Sequence, residues 1–327
     1  MWRADRPGKG RYREFLQCDV DITGTGSLLA EAEVCSAVAE VFNQLGFNNF
    51  KIHINHRQLL KCLIKAAGIS LDNEATTLVA VDKLDKIGIE GVSKELAERG
   101  IDEAQTRQLL ELIIRPENLN EAQELERLRS LLSKVEGSAE HIRQLEELIN
   151  LLENTCAAGK YVIDASLARG LGYYTGPIFE IRSPELNGSI GGGGRYDGLI
   201  GMFKGREIPA VGFSIGFERL IIILEEKGLF DSLPTGPQLM LCHFSDVADT
   251  QVLAAAKVFR DQGIKVEVYP ETPKLGKQIA YAESLGAKWV AILGATEAAE
   301  KKISIKNLAS GEQQVLSWPE AAAHVAR

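Results

Sequence analysis

The sequence predicts an α+β protein. An antiparallel sheet flanked by helices carries a helical insertion within it and a smaller α/β domain after it. Three observations predict this. Strand signals recur at 11–22, 51–55, 160–164 and 177–181, and all but the third show the side-chain period of two that marks half-buried strands. A charged, helical stretch short of glycine clusters, roughly His56 to Gly159, separates the second of these from the third. Beyond the linker Pro234-Thr235-Gly236-Pro237 the pattern becomes strand–helix–strand–helix–strand, as in a mostly parallel sheet covered by helices. The expected divisions are 1–56 and 160–232 for the sheet domain, 57–159 for the insertion and 233–327 for the α/β domain.

The stretch from Trp2 to Gly24 reads as a β-hairpin, with Pro7-Gly8-Lys9-Gly10 as its turn. Tyr12, Leu16, Cys18, Val20 and Ile22 fall on one face. Arg11, Arg13, Phe15, Gln17, Asp19 and Asp21 fall on the other. Charge is separated along that polar face: Arg3, Arg11 and Arg13 come first, then the Gln17 amide, then two carboxylates. Such an order suits phosphate at one end, where the planar fork of arginine pairs with two oxygens, and a donor-bearing ligand at the other. An ordinary half-exposed hairpin with scattered ion pairs is the competing reading.

Ser27 to Leu45 follows as a helix, with Ser27 able to cap it, an apolar stripe through Ala32, Cys35, Val38 and Phe42, and Gly46 to end it. Within the insertion, helical stripes recur around Leu109–Ile113, Glu121–Leu132 and His141–Leu152. Strands return at Lys160–Asp164 and Pro177–Ile181. The consecutive glycines Gly191, Gly192, Gly193 and Gly194 then let a backbone pass very close to a ligand. No Gly-Lys-Ser/Thr follows, so this is not a P-loop. Val211–Ile223 reads as a buried strand running into a helix. Arg219 near that helix start has no dipole reason to be there and, beside a glycine-rich strand, is a plausible phosphate or nucleobase contact. In the C-terminal part, strands are expected at 239–243, 266–269 and 289–293, helices at 249–261 and 275–285, and one more strand at 303–307.

The 327 residues are 45% hydrophobic and 25% charged, a globular composition with no apolar run of bilayer-spanning length and no secretory signal. Five scattered cysteines without a C-x-x-C pair suit buried thiols in a reducing cytoplasm rather than a zinc cage. His53 and His56, read as strand-end and loop residues, lack the neighbours that would complete a metal site. The net charge of −8 excludes a globally basic nucleic-acid binder, but a local cationic patch can suffice for RNA.

At this point the residues resemble a family. Arg3, Asp5, Phe15 and Asp19 match motif 2 of class II aminoacyl-tRNA synthetases, and GFSIGFERL resembles motif 3, with its arginine at Arg219. RGLGYYTG and GGGGRYDGL are similar to the two signature segments of the histidyl-tRNA synthetase family. The resemblance covers the whole chain, including an insertion domain and a C-terminal α/β anticodon-binding domain.

It implies ATP-dependent activation of histidine to histidyl-adenylate, with Mg2+ accompanying ATP, and transfer to tRNA(His), in the cytoplasm. Arg3 would hold the α-phosphate and Arg219 the far end of the triphosphate, with Asp5 and Arg11 also on the ATP side. Arg169 would stabilise charge developing at the α-phosphate. Gln17 would contact the amino-acid end of the substrate. Asp21 and Tyr174 would read the two imidazole nitrogens, with Tyr173 nearby, and Gly191 to Gly194 would floor the adenylate. No dedicated protein metal site is implied, because Mg2+ is held mainly by phosphate oxygens.

The chain departs from the family pattern at Gly172, where an aspartate is usual. It also starts at motif 2, without motif 1 of the family's dimer interface or the loop that grips the substrate's amino group. The expectation is a truncated form with impaired activity and impaired dimerisation. The alternative is a non-catalytic paralogue acting as a regulatory or RNA-binding subunit, similar to the regulatory subunit of ATP phosphoribosyltransferase. That relative lacks the anticodon domain and degrades the arginine motifs that this chain keeps.

Overall fold

The computed structural model describes residues 1–4, 6–169, 172–230 and 236–326. Asp5, Gly170, Leu171 and the Pro234-Thr235 part of the expected linker lie outside the described residues. The chain forms two compact units, Met1–Gly228 and Leu229–Arg327.

In the first unit the order is β1 (Gln17–Thr23), α1 (Leu29–Gln44), β2 (Lys51–His56), α2 (Arg57–Ala66), α3 (Glu74–Val81), α4 (Leu84–Glu98), α5 (Glu103–Ile113), α6 (Glu121–Leu131) and α7 (Ser138–Leu152). Then come β3 (Tyr161–Ile163), β4 (Pro177–Ser183), β5 (Leu186–Arg195), α8 (Gly201–Lys204), β6 (Ala210–Gly216) and α9 (Phe217–Glu226). The sheet runs β1-β6-β5-β4-β2-β3, antiparallel throughout except between β2 and β3. Helix α1 buries Ala32, Cys35, Val38, Ala39 and Phe42 and packs on β6 and α7. The Ser27 hydroxyl accepts the Leu29 N–H at 3.3 Å, although the N-cap position itself is Leu28.

The insertion helices belong to the same compact unit. His56, the last residue of β2, caps α2 by accepting the Gln58 N–H on Nδ1 at 3.1 Å, and its ring stacks on His141 of α7 at 4.8 Å. Helix α4 is kinked at Gly88, whose φ of 68° leaves the helical region.

The second unit runs β7 (Leu239–His243), α10 (Asp249–Asp261), β8 (Val266–Val268), α11 (Leu275–Ser284), β9 (Trp289–Leu293), α12 (Ala295–Ala299), β10 (Lys302–Asn307), β11 (Gln313–Ser317) and α13 (Trp318–Val325). Its sheet order is β11-β10-β9-β7-β8, with β8, β7 and β9 parallel and the β10–β11 hairpin antiparallel. The core gathers Leu241, Phe259, Ile303, Ile305 and Trp318. Strand β11 and helix α13 are additions to the sequence reading. Gln313–Ser317 is too polar to signal a strand, and α13 is recognisable in retrospect by its capping box of Ser317 and Glu320 with Pro319 inside.

Three expectations are corrected. The strand expected from residue 11 begins only at Gln17. Gln17 pairs with Gly216, and β6 turns into α9 at the next residue, so earlier residues have no partner strand; the Leu16 N–H goes instead to Glu218 Oε1 at 2.6 Å. Residues 2–4 and 6–14 form a separate arm joined by isolated bridges, Trp2 with Glu14 and Gly8 with Arg11. Cys18 and Cys156 are exposed, and only Cys35, Cys62 and Cys242 are buried thiols. His53 lies within β2 rather than at its end, and His56, expected in a loop, is that strand's last residue. Among the described residues no helix is long and apolar enough to cross a membrane.

Candidate active site

The N-terminal arm turns through Lys9 and Gly10, with Gly8 and Arg11 exchanging backbone hydrogen bonds of 2.9 and 3.0 Å. Gly10 sits at φ 66° against Arg219, where a Cβ would stand 3.0 Å from Arg219 Cγ. The turn therefore lies back on α9, and Lys9 pairs with Glu226 of that helix. This fold of the arm sets Arg3, Arg11, Tyr12, Phe15 and Gln17 along one wall of a cavity of about 990 Å³. The Arg3 guanidinium lies 5.0 Å from the Phe15 ring centre and donates to Gln17 Oε1 at 3.2 Å. Gln17 in turn donates to Ser214 of β6 at 2.5 Å, so its amide orientation is fixed from both sides.

The floor is the polyglycine strand β5, between β4 and β6. A Cβ on Gly191 would stand 2.7 Å from the Ser214 carbonyl oxygen, and one on Gly193 would stand 2.0 Å from that of Gly212. On Gly194 it would meet the Tyr174 ring at 2.9 Å. No side chain fits at these positions without moving backbone, which is the physical reason for four glycines in a row. Gly191 and Gly192 line the cavity; Gly193 and Gly194 continue the strand beyond its lining.

Arg169 projects over this floor. Its Nη1 donates to the Phe179 carbonyl at 3.2 Å and lies 3.4 Å from Glu180 Oε2, while its Nε is buried with no protein acceptor. An unpaired buried guanidinium N–H is a donor held ready for a ligand oxygen. Arg219 projects from α9, donates to the Ser189 carbonyl, and has the charge of Arg11 nearby. Burial and then Arg11 hold its guanidinium below the ordinary arginine value, an arrangement that an anion would relieve. Arg3, Arg169 and Arg219, distant in the chain, thus open into one cavity.

At the other end stand Tyr173 and Tyr174, their rings 4.7 Å apart. Burial pushes the Tyr174 phenol up, so it stays protonated and able to donate. Tyr173 meets Tyr196 edge-on at 6.2 Å, and the Tyr196 hydroxyl donates to Asp21 Oδ1. Asp21 packs over Gly212, where a Cβ would stand 1.9 Å from Oδ1.

The structure brings together all the candidate residues it describes except the three that lie beyond the lining. Arg3, Arg11, Gln17, Arg169, Tyr173, Tyr174, Gly191, Gly192 and Arg219 share the cavity. Gly193 and Gly194 are in its floor strand, and Asp21 is reached through Tyr173 and Tyr196. Arg13, expected on the chemical face with Arg11, is not in the lining; Tyr12 is, because the arm is not a regular strand there. Sequence reasoning passed over Tyr196, Glu180, Arg182 and Asp82. Tyr196 comes two residues after the polyglycine run, with Arg195 between. Glu180 and Arg182 are the polar alternates of the otherwise buried strand β4, and a charged period-two face inside a buried strand was the available signal. Asp82, from the corner between α3 and α4, lines the cavity there, and partial desolvation pushes its carboxyl up.

Comparison with known proteins places this geometry. The family model described as histidyl-tRNA synthetase matches residues 1–220, and the model described as anticodon binding domain matches residues 222–327. The histidine–tRNA ligase of Christiangramia forsetii is 40% identical over 324 residues, 97% of this chain and 70% of the relative. That of Gloeobacter violaceus is 41% identical over 323 residues, 96% of this chain and 69% of the relative. Among solved structures, histidyl-tRNA synthetase from Nostoc sp. PCC 7120 aligns with a TM-score of 0.73 at 32% identity, covering 96% of this chain and 74% of that one. With its synthetase fold, its arginine-ringed cavity and matches running nearly end to end, the chain belongs to the histidyl-tRNA synthetase family.

Proposed function

We propose that this chain activates histidine with ATP and passes the product to tRNA(His). The observation that carries the reading is the convergence of Arg3, Arg169 and Arg219 on one cavity that also holds Gln17, Tyr173 and Tyr174. About 990 Å³ is at the upper end of small-molecule sites and suits a nucleotide with an amino acid beside it.

A carboxylate oxygen of histidine attacks the α-phosphorus of ATP. The new P–O bond forms as the bond to the β-phosphate oxygen breaks, and pyrophosphate leaves with the electron pair. The enzyme needs no proton transfer for this step; it needs alignment and charge stabilisation. Arg3 would grip the α-phosphate, steadied by Phe15 and Gln17. Arg219, with Arg11 close by, would take the far phosphates. Arg169 would offer its unpaired Nε–H and outer N–H groups to the charge that develops on the α-phosphoryl oxygens. Mg2+ would come with ATP. Among the described residues no three acidic, histidine or cysteine side chains converge on a metal position, so phosphate oxygens would supply most of its ligands. The Tyr174 phenol and the Asp21 carboxylate would pair with the two imidazole nitrogens. A ligand lacking either nitrogen would leave one of them unpaired, which gives strong discrimination. The residues of the 229–327 unit would take the anticodon end of the tRNA.

Histidine-dependent ATP–pyrophosphate exchange tests the reading. Weak exchange is expected from this chain, in line with the impaired activity the resemblance implies, and Arg169→Ala should reduce it by roughly 10²–10³-fold. Absence of exchange, or exchange indifferent to Arg169→Ala, overturns it. The regulatory-paralogue alternative predicts histidine binding without exchange; the three retained arginines argue against it.

A further inference from the structure

We propose that Glu180 and Arg182 are positioning residues for Arg169, and that Arg182, through Asp85, ties the setting of Arg169 to the corner where α3 gives way to α4. The proposal rests on the reading that Arg169 acts at the α-phosphate.

Arg169 lies outside the helices and strands. Its side chain must be held by what it touches. Below it is the bare backbone of Gly192, and beside it are the Phe179 carbonyl and the Glu180 carboxylate. Phe179 and Glu180 are consecutive residues of β4, and neutral and charged acceptors meet the same Nη1. Glu180 is not free to follow Arg169, because its other oxygen accepts from Arg182 Nε at 2.7 Å. Arg182 is fixed in turn by two carboxylates: Asp85 Oδ2 at 2.8 Å and Asp164 Oδ2 at 3.5 Å. Asp164 is anchored by His53 at 2.8 Å and Ser166 at 2.5 Å. Cations and carboxylates therefore alternate along a line from the insertion to the reacting end of the cavity.

The Glu180, Arg182 and Asp164 side chains are 16%, 24% and 14% exposed, so these contacts are screened far less than surface pairs. Asp85 belongs to the first turn of α4 and is 60% exposed. With Val81, Asp82, Leu84 and Lys86 it forms the cavity wall on that side. A shift of this corner would reach Arg169 through Arg182 and Glu180 with no change in the floor.

The test uses Glu180→Ala, Glu180→Gln, Arg182→Ala, Asp85→Asn and the Arg182→Ala/Asp85→Asn double variant of the full chain. Pyrophosphate-exchange kinetics give kcat and KM, and nuclear magnetic resonance of arginine side chains reads the rotation of the Arg169 guanidinium. For Glu180→Ala, kcat should fall on the order of 10- to 100-fold with KM for ATP and histidine changed less than about threefold. Glu180→Gln, which keeps an oxygen acceptor, should recover part of the loss. Asp85→Asn, at an exposed position that leaves the fold alone, should lower kcat a few-fold, and its effect should not add to that of Arg182→Ala. The Arg169 guanidinium should rotate slowly in the parent and faster in each variant. A Glu180→Ala enzyme with parental kcat, additive Asp85 and Arg182 effects, or unchanged Arg169 rotation overturns the proposal. If the parent shows no exchange, the catalytic reading fails by itself, and the rotation measurement still decides whether Glu180 and Arg182 fix Arg169.

Discussion

The Arg169 guanidinium lies directly on Gly192: a Cβ at that position would stand 1.6 Å from Arg169 Nη1 and 2.8 Å from the Phe179 carbonyl oxygen. Gly192→Ala must therefore push Arg169 off its seat or part β4 from β5. Exchange activity should fall about 100-fold, since a displacement of 1 Å is enough to cost that much. Stability should fall by roughly 1–3 kcal/mol from overpacking. Exchange kinetics and urea unfolding of the same variant check both, and activity within twofold of the parent would contradict the assignment of the glycine floor.

Tyr196 holds Asp21 through its hydroxyl, which burial and then Asp21 keep firmly protonated. If Asp21 receives an imidazole N–H, Tyr196→Phe loosens that acceptor without touching the phosphate end. A hydrogen bond to a charged group contributes about 1.5–3 kcal/mol, so KM for histidine should rise roughly 10- to 100-fold while KM for ATP stays within twofold. Substrate-saturation kinetics in each substrate separate these. Equal rises in both constants would detach Tyr196 from histidine recognition.

Much of this site was legible because the chemistry sits in short contiguous motifs. Arg219 stood out at a helix start, the glycines by their run, and Arg3 and Gln17 by the hairpin's polar face. The partners that hold those residues were harder to see. Tyr196 meets Asp21 and Arg182 meets Asp85 across chain separations that no period or spacing encodes. The arm before Gln17 was misread as strand for a related reason. Alternation describes side chains, but strand formation needs a partner, and β6 ends where the arm would require one. In the second unit, β11 was missed because an edge strand with one solvated face carries few apolar residues.

The stacked His56 and His141 rings make the joint between β2, α2 and α7 sensitive to acid. Burial and then the His141 charge push His56 down to about 4 from 6.5, and burial also lowers His141, with Glu140 and Gln144 opposing. Between about pH 4 and pH 6.5 the unfolded chain thus binds more protons than the folded one, and stability falls as the pH falls. The His56 contribution alone should remove roughly 2 kcal/mol between pH 7.5 and pH 5. His56→Asn keeps an oxygen to cap α2 and removes the titrating ring, so its urea midpoint should depend less on pH over this window. A parent chain whose midpoint is flat from pH 7.5 to pH 5 would contradict this. Asp164 acts in a lower window: despite burial, His53 and Ser166 hold its carboxyl at about 2, so its stabilisation is lost only as the pH falls below the ordinary aspartate range.

Behind the floor strand, Arg195 meets Glu31 of α1 as a two-pronged pair, Nε to Oε1 at 2.5 Å and Nη2 to Oε2 at 2.7 Å, with Glu31 fully buried. The remaining guanidinium nitrogen reaches the Thr25 carbonyl at 3.1 Å and Asp197 at 3.0 Å, so one side chain joins β5, α1 and the loop after β1. Arg195→Met leaves the Glu31 carboxylate buried without a partner and should cost about 3–5 kcal/mol. Arg195→Lys should recover little, because an ammonium cannot reproduce the fork. Replacing both partners with apolar residues of similar volume, Arg195→Met with Glu31→Leu, should restore most of the loss, since no charge is then stranded. Urea midpoints at an unchanged denaturant slope measure all three variants. An Arg195→Met chain within 1 kcal/mol of the parent by that extrapolation would mean that water reaches Glu31, contrary to its burial here.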